Sequence, residues 1–354
     1  MSAAAMMDKI RSQPRSLAGV LEYQCGSGAA ALTRAAELLR SRRQVVITGM
    51  GASFFGALPL EAYLCSLGID AIAVEAGELL HYRHQAFREA VVVAISRSGE
   101  SIEIAKLLAI LKGRQPVIGV CNRPESLLSR EADIAISIAS MDDDVVALQT
   151  YTGTMLTLYL LGNAVADLLS KAKSEIEGML PHFAEVVDAS LKDMAHWDDF
   201  LHSGCLLYLL ARGPSCASAF EGALLFNEVA KYPAIAMTAG SFRHGPVEVV
   251  DSKFHGVIFA PGGNTTELNV ALARDLARFG GQIRLIGPAV PEVPGVTAIK
   301  LAGVPEMVAP LFEVVPIQVA ALRLAELRGI VPGSFRFVSP VTLHETNFPD
   351  LKAI

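Results

Sequence analysis

Cysteine, unbalanced charge and long apolar runs are all scarce in this sequence, and each scarcity removes a class of function. Five cysteines (Cys25, Cys65, Cys121, Cys205, Cys216) are scattered over 354 residues without a CxxC pair. That excludes a disulfide scaffold, offers no zinc or thiol-redox pattern, and points to a reducing cytoplasm. Lys and Arg number 30 against 36 Asp and Glu, a net charge of −6, and no segment gathers the basic residues into a stripe. A nucleic-acid partner is not expected. No apolar run reaches the ~18 residues of a membrane span. The longest, Met155 to Leu169, is interrupted by Gly162, Asn163 and Asp167 and reads as a buried helix. The N-terminus MSAAAMMDKIRSQPRSL carries charges where a signal peptide needs an apolar core, so no membrane association is expected.

What is present is apolar chain in quantity. Hydrophobic residues make up 52% of the sequence, and its length, at roughly 150 residues per domain, gives about two domains with cores of their own. Short β-branched runs alternate with helical patterns, the signature of parallel sheets covered by helices. The runs predict strands at Gln44 to Thr48, Ala71 to Val74, Ala90 to Ile95, Val117 to Val120 and Ile134 to Ile138. Between them, Ile104, Leu107, Leu108 and Leu111 recur with helical spacing and predict an amphipathic helix over Ile102 to Lys112, stopped by Gly113.

The order then recurs. Val46 to Ser53 lines up with Tyr208 to Ser215 at an offset of 162, placing Gly51 on Gly213 and Ala57 on Ala219. Val91 to Ile95 parallels Gly256 to Ala260, and Val117 to Val120 parallels Ile283 to Ile286. The chain reads as a tandem duplication, with a helical bridge from about Ser170 to Trp197. The domain expectation is an N-terminal leader helix over 1–25, a first domain over 26–175, a second over 176–340 that includes the bridge, and a tail over 341–354.

Four stretches carry candidate chemistry. Ala94-Ile-Ser-Arg-Ser-Gly-Glu-Ser101 ends a buried strand in three hydroxyls just before a helix, and Arg97 adds a charge. Unpaired N–H groups and rotatable hydroxyls at that junction suit a phosphate monoester, although Ser98 or Ser101 acting only as a helix cap is an equal reading of these residues alone. Gly49-Met-Gly-Ala-Ser-Phe-Phe-Gly56 fits neither a dinucleotide fingerprint, which needs glycine where Phe54 stands, nor a P-loop, which needs Lys-Ser/Thr where Ala57-Leu58 stand. It is instead a tight turn that brings Ser53 to the carboxyl end of the sheet, where Ser96, Ser98 and Ser101 also lie. The corresponding loop of the second half, Pro261-Gly-Gly-Asn-Thr-Thr266, has fewer hydroxyls and no basic residue, so one phosphate site per chain is expected.

Glu221 and Glu228 stand on an apolar, Ala-rich helix, seven residues and therefore about 10 Å apart along its axis. They act separately: Glu221 leans structural and Glu228 is the functional candidate, since an unpaired buried carboxylate is costly. In Gly240-Ser-Phe-Arg-His-Gly-Pro246, His244 precedes a predicted helix starting at Pro246 and is a proton-exchange candidate, with a plain surface histidine as the alternative. His81-Tyr-Arg-His84 lacks a third ligand, Asp142-Asp-Asp144 reads as a solvated acidic turn, and His344-Glu345 lacks the second histidine of a zincin, so no metal and no cofactor are assigned.

In this order the sequence resembles the sugar isomerase (SIS) family, most closely the isomerase half of glutamine:fructose-6-phosphate aminotransferase. The match runs from Met7-Asp-Lys-Ile-Arg-Ser-Gln-Pro14 through Ser53, the Ser96 to Ser101 run, the Asn122 region, Glu221-Gly-Ala-Leu224 and Glu228 to Ala239-Gly-Ser-Phe-Arg-His-Gly-Pro246. The resemblance implies two tandem SIS domains of α/β class, each a doubly wound parallel sheet flanked by helices. It implies that Ser53, Ser96, Ser98 and Ser101 bind phosphate, with Arg97 where the aminotransferase has Gln. It makes Glu228 the base between carbon 1 and carbon 2, and His244 the ring-opening histidine reaching a neighbouring subunit's site in a homodimer. A match beginning within the first ten residues carries the expectation that no glutaminase domain precedes it and that nitrogen does not come from glutamine.

Two family lysines are absent: Leu225 stands three residues before Glu228, and Ser339-Pro340 stands at the tail position that forms a Schiff base with the sugar ketone. Ala147-Leu148-Gln149 replaces a Ser-Thr-Lys stretch. The expected function is therefore isomerisation coupled to deamination of an amino-sugar 6-phosphate, of the glucosamine-6-phosphate and fructose-6-phosphate type, with the substrate's own amine replacing the lysine. Fructosamine-6-phosphate deglycation and a non-catalytic phosphosugar sensor are the alternatives.

Overall fold

Ten strands form two five-stranded sheets in the computed structural model, which describes residues 1–201, 206–288, 292, 294–301, 303–337, 339 and 341–346. Cys205, Pro340 and the end of the tail, 347–354, lie outside the described residues. The first sheet contains β1 (Gln44–Gly49), β2 (Asp70–Glu75), β3 (Val91–Ile95), β4 (Val117–Cys121) and β5 (Ile134–Ser137) in the order β2-β1-β3-β4-β5. The second contains β6 (Leu206–Ala211), β7 (Ala234–Thr238), β8 (Phe254–Phe259), β9 (Gln282–Gly287) and β10 (Val296–Lys300) in the order β10-β9-β8-β6-β7. Read from the other end, the second order is the first one repeated. The three sequence alignments fall on β1 with β6, β3 with β8 and β4 with β9, so the internal repeat is a repeat of topology.

Every ladder is parallel, for example Val45↔Val91 in the first sheet and Leu206↔Phe254 in the second. Parallel strands need crossovers, and helices on both faces bury most of each central strand. Every residue of β3, β4 and β8 is buried, whereas the edge strands β2, β5, β7 and β10 have mixed burial. The chain is thus an α/β fold of two parallel sheets flanked by helices, as the alternating pattern predicts.

The helices used below are α1 (Ala3–Cys25), α2 (Ala29–Arg40), α3 (Ile102–Leu111), α4 (Gln149–Val165), α5 (Leu169–Lys192), α6 (Cys216–Ala230), α7 (Thr266–Arg278) and α8 (Ala309–Leu327). The amphipathic prediction over Ile102 to Lys112 is α3, which buries Ile104, Leu107, Leu108 and Leu111 against the first sheet. The bridge is α5, followed by a 3₁₀ turn at Met194–Trp197. α4 is buried nearly all round, which accounts for the long apolar run there, and no helix among the described residues is long and apolar enough to cross a membrane.

The chain gathers into two compact units. One holds the first sheet, in Gln13–Leu180, together with the described tail from Phe335 onward. The other holds the second sheet, in Pro181–Ser334, together with Met1–Ser12.

Candidate functional site

In each sheet the strand order reverses beside the first strand, so in the first unit the crevice lies between the loops after β1 and β3. Ligands of open α/β sheets bind at such a switch point. Gly49 ends β1, and a Cβ there would stand only 3.0 Å from the carbonyl oxygen of Ile95 and 3.0 Å from the backbone of Ser53 and Phe54. Only glycine lets the Ser53 turn close directly over the end of β3, which is where Ser96 begins the second loop.

In that second loop Ser96 Oγ lies 3.2 Å from Ser101 Oγ and accepts the N–H of Gly99 at 3.1 Å. Ser98 Oγ accepts the N–H of Glu100 at 3.2 Å. Gly99 has φ +69°, and a Cβ on it would overlap the Ser126 side chain, so the turn is both left-handed and closely packed. Ser96 and Ser98 are buried, and Ser53 and Ser101 are half-buried. The cap reading does not hold. Ser101 occupies the N-cap position of α3 without a side-chain cap bond, and Ser98 closes a turn ahead of the helix.

The surrounding loops are tied to this turn. Asn122, just past β4, donates its N–H to the Arg97 carbonyl at 3.1 Å and exchanges two hydrogen bonds with the backbone of Ser140. Arg97 Nη1 donates to the Val145 carbonyl at 3.1 Å and so holds the loop ahead of α4.

In that loop Asp142 and Asp144 are exposed, as a solvated acidic turn requires, and Asp143 departs from that reading. Asp143 is buried, and its Oδ2 accepts the N–H groups of Leu148 and Thr150, both at 2.8 Å, and the Thr150 hydroxyl at 2.7 Å. Burial pushes its carboxyl pKa up and these hydrogen bonds oppose the rise. Asp143 is thus the cap of α4, reaching it from six residues away.

The tail completes the unit. Thr342 accepts the first N–H of α3, from Ile102, at 3.0 Å. Glu345 lies 2.7 Å from His81 Nε2 and pairs with Lys106 of α3, whose ammonium lowers its pKa. The His81 and His344-Glu345 motifs therefore contribute an ion-pair clasp.

In the other unit, Glu228 is half-buried near the end of α6, and Glu221, two turns earlier, is buried. Lys231 ends the helix in the left-handed region at φ +51° and donates its ammonium to the Glu228 carbonyl. Leu225 is fully buried. His244 is exposed at the tip of a turn anchored by Phe242, which packs edge-on to Tyr208 at 5.4 Å and against Phe254 at 5.6 Å. The helix expected from Pro246 is only a 3₁₀ turn, Pro246–Val249, because the backbone turns extended at Val250.

The SIS domain profile matches residues 38–165 and 202–290, most of both sheets. The chain belongs to the SIS-domain family. It is 31% identical over 308 residues to a glutamine–fructose-6-phosphate aminotransferase of Pyrococcus horikoshii, covering 84% of this chain and 51% of that protein. Against the enzyme of the same name from Escherichia coli K12, identity is 26% over 343 residues, covering 92% of this chain and 56% of that protein. The chain thus spans about half the length of the curated relatives it matches.

Among solved structures, the C-terminal domain of glucosamine-fructose-6-phosphate aminotransferase from Francisella tularensis aligns with a TM-score of 0.81 at 21% identity, over 92% of this chain and 97% of that one. A glucosamine-6-phosphate deaminase from Thermotoga maritima aligns with a TM-score of 0.72 at 20% identity, over 90% and 99%. At these identities the two structures speak for the fold.

The structure thus sets Ser53 and the serine run in SIS domain 1, on the two loops that flank the switch point, and Glu228 and His244 in SIS domain 2. Two acids escape sequence reasoning, Asp143 and Glu313. Glu313 of α8 is fully buried and accepts hydrogen bonds from Ser215 at 2.9 Å and Ser218 at 2.7 Å. A carboxylate within a long apolar stretch of helix is the signal the sequence offers for Glu313, the same one that singles out Glu228.

Proposed function

We propose that this chain is a phosphosugar enzyme that isomerises and deaminates an amino-sugar 6-phosphate, of the glucosamine-6-phosphate and fructose-6-phosphate type, as a cytoplasmic homodimer. The observation that carries the reading is the hydroxyl cluster at the switch point of SIS domain 1. Ser96 and Ser101 lie within hydrogen-bond reach of each other, and the Ser101 hydroxyl does not cap α3. Rotatable hydroxyls at a strand-to-helix junction can turn toward the oxygens of a phosphate monoester. The family membership and the relatives' printed substrates agree with a ligand of that class.

In this reading Ser53, Ser96, Ser98 and Ser101 hold the phosphate. Arg97 adds positive potential from a position fixed by the Val145 carbonyl. Glu228 acts as the general base and removes the carbon 2 proton of the open-chain aldosamine. The electron pair forms a carbon 1–carbon 2 double bond and the carbonyl oxygen takes a proton, giving an enolamine. Returning a proton to carbon 1 makes a carbon 2 imine, to which water adds, and ammonia leaves. His244, supplied by the neighbouring subunit, moves the ring-oxygen proton on opening.

The substrate's amine makes the imine that a protein lysine would otherwise make. That suits a chain with buried Leu225 at one family lysine position and Ser339 at the tail position. A fructosamine 6-phosphate, with its nitrogen on carbon 1, would pass through the isomeric enolamine: a carbon 1 proton leaves, a proton returns to carbon 2, and addition of water to the resulting carbon 1 imine releases the amine, so deglycation is the nearest alternative.

Ser98→Ala is expected to weaken binding of glucosamine-6-phosphate by about 1–3 kcal/mol, the cost of a hydrogen bond to a charged group. Isothermal calorimetry measures it, and unchanged affinity in both Ser98→Ala and Ser96→Ala would remove the phosphate assignment.

A further inference from the structure

SIS domain 2 has the same switch point, between the loops after β6 and β8, and its interior is occupied by the protein itself. Ser215 is the repeat counterpart of Ser53, at the offset of 162 that aligns β6 with β1. Its hydroxyl donates to Glu313 Oε1 at 2.9 Å, and that of Ser218, one turn into α6, donates to Oε2 at 2.7 Å. Ser215, Ser218 and Glu313 are all buried.

A second carboxylate stands between the two loops. Glu306 Oε1 is 3.8 Å from the Cβ position of Gly213, after β6, and a Cβ on Gly263, after β8, would overlap the same carboxyl group. Beside Glu313, between the loops after β8 and β9, a cavity lined by Pro261, Gly262, Gly287 and Phe312 among others measures about 10 Å³, room for one water at most. Burial, with a smaller contribution from Glu306, also raises the Glu313 pKa.

We propose that Glu313 occupies, in SIS domain 2, the place that a ligand's anionic group takes in an open domain of this family, so that the second niche is a compact-anion site closed by an internal carboxylate. A carboxylate offers two acceptor oxygens to two serine hydroxyls, as a phosphate would, but it is tethered to α8. Glu306 at the mouth repels a further anion. The proposal explains why a duplicated chain has one open phosphate site, and it stands whether or not SIS domain 1 turns its ligand over.

The test removes the tethered anion and supplies a free one. Glu313→Ala is made in a Ser98→Ala background, so that binding in SIS domain 1 does not report. Thermal unfolding is followed as sodium acetate or inorganic phosphate replaces chloride at constant ionic strength. The variant is expected to regain at least about 3 °C of its lost Tm with acetate, as a ligand filling the niche would give, while the parent with Glu313 intact does not respond.

Glu313→Ser, which leaves a hydroxyl between the two serines, is run beside it. Should either variant be unfolded alone, recovery of folded protein by circular dichroism in acetate is the reading. Equal responses in parent and variants, or no response in either variant, would overturn the proposal.

Discussion

Glu228→Gln is expected to lower turnover of an amino-sugar 6-phosphate by about 10²- to 10⁴-fold, the usual contribution of a positioned general base, with little change in substrate binding. The amide keeps the size of the side chain, and at a half-buried helical position it disturbs the fold little, so a loss in kcat without a rise in KM isolates the proton transfer. His244→Ala is expected to lose activity toward cyclic substrate and to keep more of it toward open-chain analogues. If His244 serves the neighbouring subunit, mixing the two variant chains restores up to about a quarter of the wild-type activity, because statistical heterodimers carry one intact site. Heterodimers that form and remain inactive would show that both residues act in the same subunit's site or that neither is catalytic.

The second large effect concerns stability and lies away from the serine cluster. Glu313 titrates at about 7 in the folded protein against an ordinary value of 4.5, chiefly because it is buried, with its two serine hydrogen bonds opposing the shift. The folded state therefore binds the proton more tightly than the unfolded state. Its contribution is fully present below the unfolded value and is lost as pH rises through the folded value. Stability relative to Glu313→Gln is expected to fall by about 3 kcal/mol between pH 4.5 and 7.5 and to be level above that. Urea unfolding of both proteins across the range measures the difference. A flat difference would mean that water reaches the carboxylate and that the niche is not closed.

What the sequence discloses about the fold follows from burial. β1, β3 and β4 are covered on both faces, so they read as unbroken β-branched runs, and α3 shows its apolar stripe because its other face meets water. The edge strands β7 and β10 have mixed burial and no such signature, and no strand is predicted there from the sequence.

The serine run is legible because the turn that uses it is local in sequence. Asp143 is not, because N-cap preferences concern the residue adjoining a helix, whereas this carboxylate reaches its amides across a loop. Glu313 is half legible: its apolar helix marks it as unusual, but its serines come from a part of the chain almost a hundred residues away. Arg97 is legible in its charge only. That charge suggests a phosphate ligand, whereas its hydrogen bond to the Val145 carbonyl spans 48 residues of sequence and is not disclosed there.

Proton NMR in deuterated buffer reads the proposed chemistry most directly, with the protein incubated separately with glucosamine-6-phosphate, fructose-6-phosphate and a fructosamine 6-phosphate. Loss of the carbon 1 or carbon 2 proton signal reports abstraction even without net conversion, and release of ammonia or of an amine separates deamination from deglycation. The expected result is exchange with glucosamine-6-phosphate that disappears in Glu228→Gln. Saturable binding of these ligands without exchange at either carbon would contradict an enolising enzyme and leave a phosphosugar sensor.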